Sequence, residues 1–283
     1  MFLIRTHRYT EQEAELALTL SGVADPDNIA FVVDDRLSEI STGQWQNISL
    51  SAYNENLLQE LEEIPDWGWR CGDLCYTAAR AAWPTIERFW LIESDVWIPP
   101  HRTEDLFDKL NYLPQDAIAA GLGKYSQPPR YSKTMKQHIG TDRWGCIFPF
   151  TGASARLIDT MSQLRLCTLQ AFTNQQKRHL FPNDEAVFAG AAAIMNHTYV
   201  DLYQVLPEYF QKKWYNTNPP HLLEALNREK LDLVVHPAIP LRDIIREIKH
   251  GKRKNYNRHR LRRVLSQARE EERAEIMDAM NLE

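Results

Sequence analysis

The sequence predicts an α/β protein built on a mostly parallel central sheet flanked by helices, with a charged helical extension at its C-terminal end. Three observations lead there. Short apolar runs at residues 2–4, 29–33 and 89–92 have strand length and no polar alternation, as strands covered on both faces do. Helical patterns separate them, so successive strands are joined by crossovers and run parallel. Beyond Pro240 apolar residues thin out, and the stretch from Lys249 to Arg263 carries eight Lys or Arg before an acidic end at residues 270–283.

At 283 residues, 43% hydrophobic and 25% charged, the chain can fill a core without disulfides. Its formal net charge of -5 gives no global reason to bind nucleic acid. The four cysteines (Cys71, Cys75, Cys146 and Cys167) lack paired metal-ligand spacing, and free thiols in a reducing, cytoplasmic setting are expected. The opening run meets Arg5 too early for the apolar region of a secretory signal, and no apolar run reaches the length of a membrane span.

Taken in order, residues 2–4 form a strand, and Thr10 with Glu13 makes a capping box for a helix running to Leu20. A turn around Pro26 leads to strand 29–33, which ends in Asp34 and Asp35. A helix is expected over 53–63, then an aromatic loop over 67–73 whose Asp73 caps a helix over 74–83 and opens a site for an anion. The strand at 89–92 follows. Further on come a helix over 104–110, a strand over 117–123, and a long loop over 124–141 that reads as a lid. A strand over 144–150, a turn over 151–154, and helices over 155–164 and 186–195 are next. Strands over 199–205 and 231–235 complete the pattern, the last ending in His236.

The chemistry concentrates where strands end. Ligands of open parallel sheets bind beyond the carboxyl ends of the strands. Arg5 and Thr6 lie at one such end, Asp34 and Asp35 at another, and Glu93-Ser94-Asp95 at a third. Strand side chains repeat with period two, so Glu93 and Asp95 project to one side. Two adjacent carboxylates repel and lose hydration, which a divalent cation would offset. Solvated acids at a polar strand end are the plainer account of the same spacing.

Asp34/Asp35 after the second strand, Glu93-Ser94-Asp95 after a second βα unit and His236 late in the chain resemble, in that order, the GT-A fold nucleotide-diphospho-sugar glycosyltransferases. The resemblance covers residues 1–240, leaving 241–283 as the charged extension. It implies that Glu93, Asp95 and His236 hold Mn²⁺ or Mg²⁺ on the donor diphosphate, with Glu93 standing where an aspartate is more frequent. It implies that Arg5 and Thr6 belong to the donor loop, that Asp34 or Asp35 contacts the nucleoside, and that residues 151–154 are the acceptor-side turn. Asp184, or in second place Glu185, becomes the base of an inverting transfer to a glycan or glycolipid hydroxyl, as in surface polysaccharide assembly. A sugar nucleotidyltransferase is the alternative enzyme, against which stands the lack of a Gly-rich triphosphate loop near the first strand. A non-catalytic nucleotide- or glycan-binding scaffold is the other. The basic stretch 249–263 reads as a solvated helix face, a peripheral contact with anionic lipid, or a dock for an anionic partner. Trp67, Trp69, Trp144 and Trp214 are candidates for stacking on sugar faces.

Overall fold

A computed structural model describes residues 1–53, 67–172, 181–250 and 258–281. Most of the expected helix over 53–63 and the middle of the basic stretch, 251–257, lie outside the described residues. The chain divides into two compact units: Met1–Ser94 with Phe107–Leu206, and Asp95–Leu106 with Pro207–Glu283. The charged residues after 240 thus belong to the second unit, together with Asp95–Leu106 and the residues from Pro207 on.

The first unit holds a seven-stranded sheet flanked by helices, in the order β3-β2-β1-β4-β6-β5-β7. These strands are β1 (Phe2–Thr6), β2 (Ile29–Val33), β3 (Gln46–Ser49), β4 (Arg88–Glu93), β5 (Ala117–Lys124), β6 (Trp144–Ser154) and β7 (Tyr199–Asp201). All neighbours pair in parallel except β6, which runs against both β4 and β5. β2 is buried at every position, as its unbroken apolar run requires. The carboxyl ends of β1, β2 and β4 therefore meet at one edge. The register sets Arg5 opposite Glu93, so their side chains share a face.

The crossover from β1 to β2 is the helix Glu11–Ser21, started as its sequence suggests. Glu13 is fully buried and takes the backbone N–H of Thr10 at 2.9 Å. Asn183 caps the helix Asp184–Ala192, its side-chain oxygen accepting from the Ala186 N–H at 3.1 Å. That cap places Asp184 and Glu185 in the first turn.

Several expectations fail on tertiary grounds. Residues 151–154 are the buried end of β6, paired with β4 and β5, rather than a turn. Gly152 is needed there because it faces Trp90 across the sheet, and a Cβ would sit 2.6 Å from the indole. Asp73 is the first residue of the helix Asp73–Ala82, whose cap position is Gly72. Within the expected loop over 124–141 the chain is partly helical. It carries a 3-10 turn, Lys133–Met135, and a short helix, Lys136–Ile139, and it buries Ser132 and Met135. Residues 202–205 are a short helix, Leu202–Val205, rather than the end of a strand over 199–205. Finally, residues 231–235 make one bridge, Trp97 to Val235, in place of a strand.

In the second unit, β8 (His221–Leu222) pairs with β9 (Ala238–Ile239). The helices Leu241–Lys249, Arg258–Gln267 and Glu270–Asn281 share a core of Leu222, Ala225, Ile244, Ile248, Val264, Ala268, Ile276 and Ala279. A charged sequence thus still yields an apolar seam, because helical spacing gathers its few aliphatic residues on one side. Gly152→Ala is expected to destabilise the protein by about 1–3 kcal/mol through overpacking against Trp90. Urea unfolding would measure this loss, and an unchanged midpoint would contradict the packing.

Candidate functional site

Arg5 organises the strand-end edge of the first unit. Its Nη1 donates to Glu93 Oε1 at 2.6 Å and to Asp184 Oδ2 at 3.1 Å. Its Nη2 donates to the carbonyl oxygens of Gly68, in a very short bond, and of Trp69 at 3.2 Å. Three chain segments thus converge on one guanidinium. Gly72 makes room for it: a Cβ there would clash with Arg5 Nη1 and lie 2.5 Å from Asp184 Oδ2. Burial alone would lower the Arg5 pKa, but Glu93 and Asp184 outweigh it and raise it. Burial pushes the Asp184 carboxyl well above the usual carboxylate range; Arg5 pulls it down, and Glu93, Glu185 and Asp73 add to the rise.

The two acids at the helix start differ in access. Asp184 is 5% exposed and uses both oxygens, one for Arg5 and one for the Glu185 N–H at 2.8 Å. Glu185 is only half-buried, with Oε2 accepting from the Asn183 amide at 3.1 Å.

Asp73 was expected to cap a helix whose N-terminus offers its N–H groups to an anion. It is buried, and both its oxygens accept from Arg165, with Nε at 2.9 Å from Oδ2. Arg165 also donates to the carbonyl oxygens of Pro182, at 2.8 Å, and Arg70. The pair ties the helix Asp73–Ala82 to the helix Ala155–Phe172 and to the segment leading into Asp184. Losing either partner would strand a buried charge at a cost of about 3–5 kcal/mol. Arg165 has no place in the sequence reading, although one signal existed: it interrupts the buried stripe Leu157, Ile158, Met161, Leu164 and Thr168. An arginine on an apolar stripe must find a carboxylate.

The remaining predicted donor residues also have protein partners. Asp34 is held at both oxygens by Arg36, at 2.6 and 2.5 Å, and its N–H donates to Thr6 O at 2.8 Å. Asp35 accepts from the Ser51 N–H at 3.2 Å; burial would raise its pKa, but hydrogen bonds from Ser49 and Ser51 pull it below the usual range. The Thr6 hydroxyl donates to Arg8 O at 2.6 Å. Cys71 and Cys75 are buried, and burial pushes both thiols up to about 12, which leaves them poor nucleophiles.

In the second unit, Asp95 and His236 come together, with His236 Nε2 at 3.4 Å from Asp95 Oδ1. The other ring nitrogen, Nδ1, lies 2.6 Å from Asn216 O and must carry the proton to donate there. That places the lone pair on Nε2, the form in which imidazole binds a metal, with the backbone carbonyl as its outer partner. Backbone bonds hold both residues. Ala238 N–H donates to Asp95 O at 2.8 Å, and His236 N–H donates to Trp214 O at 3.0 Å. A carboxylate and an imidazole in this form are ligand types that Mn²⁺ and Mg²⁺ accept.

No family model and no curated protein sequence matches the chain. Among solved structures, it is similar to a glycosyltransferase involved in the glycosylation of the major capsid of PBCV-1, at 10% identity and a TM-score of 0.40, covering 82% of this chain and 89% of that one. It is similar to mouse xyloside xylosyltransferase 1 in its apo form, at 11% identity and a TM-score of 0.39, covering 81% and 90%. It is also similar to a mannose-1-phosphate geranyltransferase from Thermus thermophilus, at 12% identity and a TM-score of 0.35, covering 73% and 70%. Likeness at this level carries no weight for the chemistry of the site. No helix among the described residues is long and apolar enough to cross a membrane.

The raised Asp184 pKa sets a pH dependence. Between the ordinary aspartate pKa and the folded one, the native state binds more protons than the unfolded state, so stability falls as pH rises through that window. The stability that Asp184 contributes, read as the difference in unfolding free energy between wild type and Asp184→Asn, should decline from pH 4 upward. An equal slope in the variant would contradict this assignment.

Proposed function

We propose that the chain is a metal-dependent glycosyltransferase that moves a sugar from a nucleoside diphosphate sugar to a hydroxyl of a glycan or glycolipid acceptor. The observation that carries the reading is the Asp95–His236 pair, with the imidazole oriented by Asn216 O so that Nε2 faces the carboxylate. A hydrogen-bonded imidazole beside a carboxylate is what a cation site requires before the cation arrives. Glu93 is the third protein ligand in this reading. Bound there, Mn²⁺ or Mg²⁺ would neutralise the charge that develops on the departing diphosphate, and the nitrogen ligand favours Mn²⁺.

The protein's own groups have separate tasks. Asp34, fixed by Arg36 at the end of β2, orients the nucleoside of the donor. Arg5 fixes the direction of Glu93 by occupying Oε1. Of the two acids proposed for proton removal, Glu185 is the better placed, because Asp184 is buried with both oxygens engaged. Glu185 therefore takes the proton of the acceptor hydroxyl as it attacks the anomeric carbon, which gives inversion. Asp184 holds the first turn of its helix against Arg5. Peripheral contact with a membrane through Lys249–Arg263 belongs to the same proposal, on the strength of that stretch's charge alone.

Calorimetry of wild type with UDP, GDP and CDP, with and without Mn²⁺, tests the donor site. Metal-dependent nucleotide binding is expected, and Asp95→Ala should weaken it by at least roughly 10–100-fold. Unchanged affinity in that variant would remove Asp95 from the site. Glu185→Gln should leave nucleotide binding in place and lower sugar transfer by roughly 10²–10⁴-fold. Full transfer activity in Glu185→Gln would reject it as the base.

A further inference from the structure

Trp69 is 54% exposed, unusual for a tryptophan held so firmly. Its backbone carbonyl accepts from Arg5 Nη2, the guanidinium that also holds Glu93 and Asp184. That bond holds the Trp69 backbone at the rim of the strand-end site. Its ring meets Tyr131 edge-on, with centroids 5.6 Å apart. The Arg70 guanidinium lies over both rings, 5.5 Å from Trp69 and 5.0 Å from Tyr131. Arg130, which is exposed, lies 5.2 Å from the Tyr131 ring and has no carboxylate partner among the described residues.

This cluster has two chemical faces. An exposed indole offers an apolar surface with the dimensions of a pyranose ring, whose axial C–H bonds pack against a π-face. Arg70, which is buried, and exposed Arg130 both lie over the neighbouring Tyr131 ring, and Arg130 can pair an anion without first breaking an ion pair. Cation–π contacts to Tyr131 hold both arginines in place. Aromatic face and cations together select a ring that carries a negative charge.

We propose that Trp69, Tyr131, Arg70 and Arg130 form the acceptor-binding surface, and that it takes an anionic saccharide, one bearing a carboxylate or phosphate. The ring stacks on Trp69 and the anion pairs with Arg130. This deepens the glycosyltransferase reading, on which its role as an acceptor site rests.

The test is calorimetry with four probes: tetragalacturonate, a phosphorylated mannotetraose, neutral cellotetraose and the oligonucleotide (dT)8. Wild type should bind at least one of the two acidic saccharides, and cellotetraose roughly tenfold more weakly. Trp69→Ala should weaken acidic saccharide binding by roughly tenfold or more, while Trp69→Phe keeps most of it. Arg130→Ala, a change on the exposed surface, should lose the preference for acidic over neutral saccharide. Wild-type affinity in both Trp69→Ala and Arg130→Ala would overturn the proposal. So would binding of cellotetraose or (dT)8 as tight as that of the acids, or no binding of either acid at millimolar concentration. A UDP–Mn²⁺ titration of the same wild-type sample separates the two readings. If nucleotide fails to bind while the acidic saccharide binds, the donor assignment falls and the saccharide surface stands.

Discussion

One guanidinium between two carboxylates sets the arrangement of the first unit. Arg5 is placed by the register of β1 against β4, which sets it opposite Glu93. It also reaches the first turn of the helix Asp184–Ala192 and the backbone of residues 68 and 69. Two acids against one base leave the cluster acidic when all are ionised, and burial pushes that excess onto Asp184 as a raised pKa. A cluster of this kind is costly to desolvate and gives little net stability. What it confers is position: Glu93, Trp69 and Glu185 are all fixed, directly or through one neighbour, by the same side chain.

The Asp73–Arg165 pair serves the first unit differently. It is neutral overall, fully buried and saturated with hydrogen bonds, so it acts as a strut behind the site. In the second unit the comparable device is smaller, a single imidazole held at Nδ1 by a backbone carbonyl and facing a carboxylate from Nε2. The two motifs show opposite uses of buried polarity. One locks helices together; the other sets an imidazole of fixed orientation against a carboxylate.

Much of this was legible in the residues because local signals and tertiary structure agree. The capping box of Thr10 and Glu13, the apolar run Ile29–Val33 and the break at Pro84 each mark an element that forms as expected. Asp95 and His236 were both legible as candidates, though 231–235 is no strand; the Trp97–Val235 bridge brings the two together. The failures share a cause. Thr151-Gly152-Ala153-Ser154 has turn composition, yet Gly152 is there to admit the Trp90 ring from the next strand. Asp73 has the look of a cap, but its partner is Arg165, 92 residues away. Periodicity and capping rules describe near neighbours, and an ion pair across such a separation leaves only a charged residue on an apolar stripe as its trace.

Anomalous diffraction at the manganese edge, from crystals grown with MnCl2 and UDP, tests the central claim most directly. The account predicts a peak within coordination distance of the Asp95 carboxylate and His236 Nε2, with Glu93 as the third protein ligand. A manganese peak elsewhere, with Asp95 and His236 still facing only each other, would contradict it.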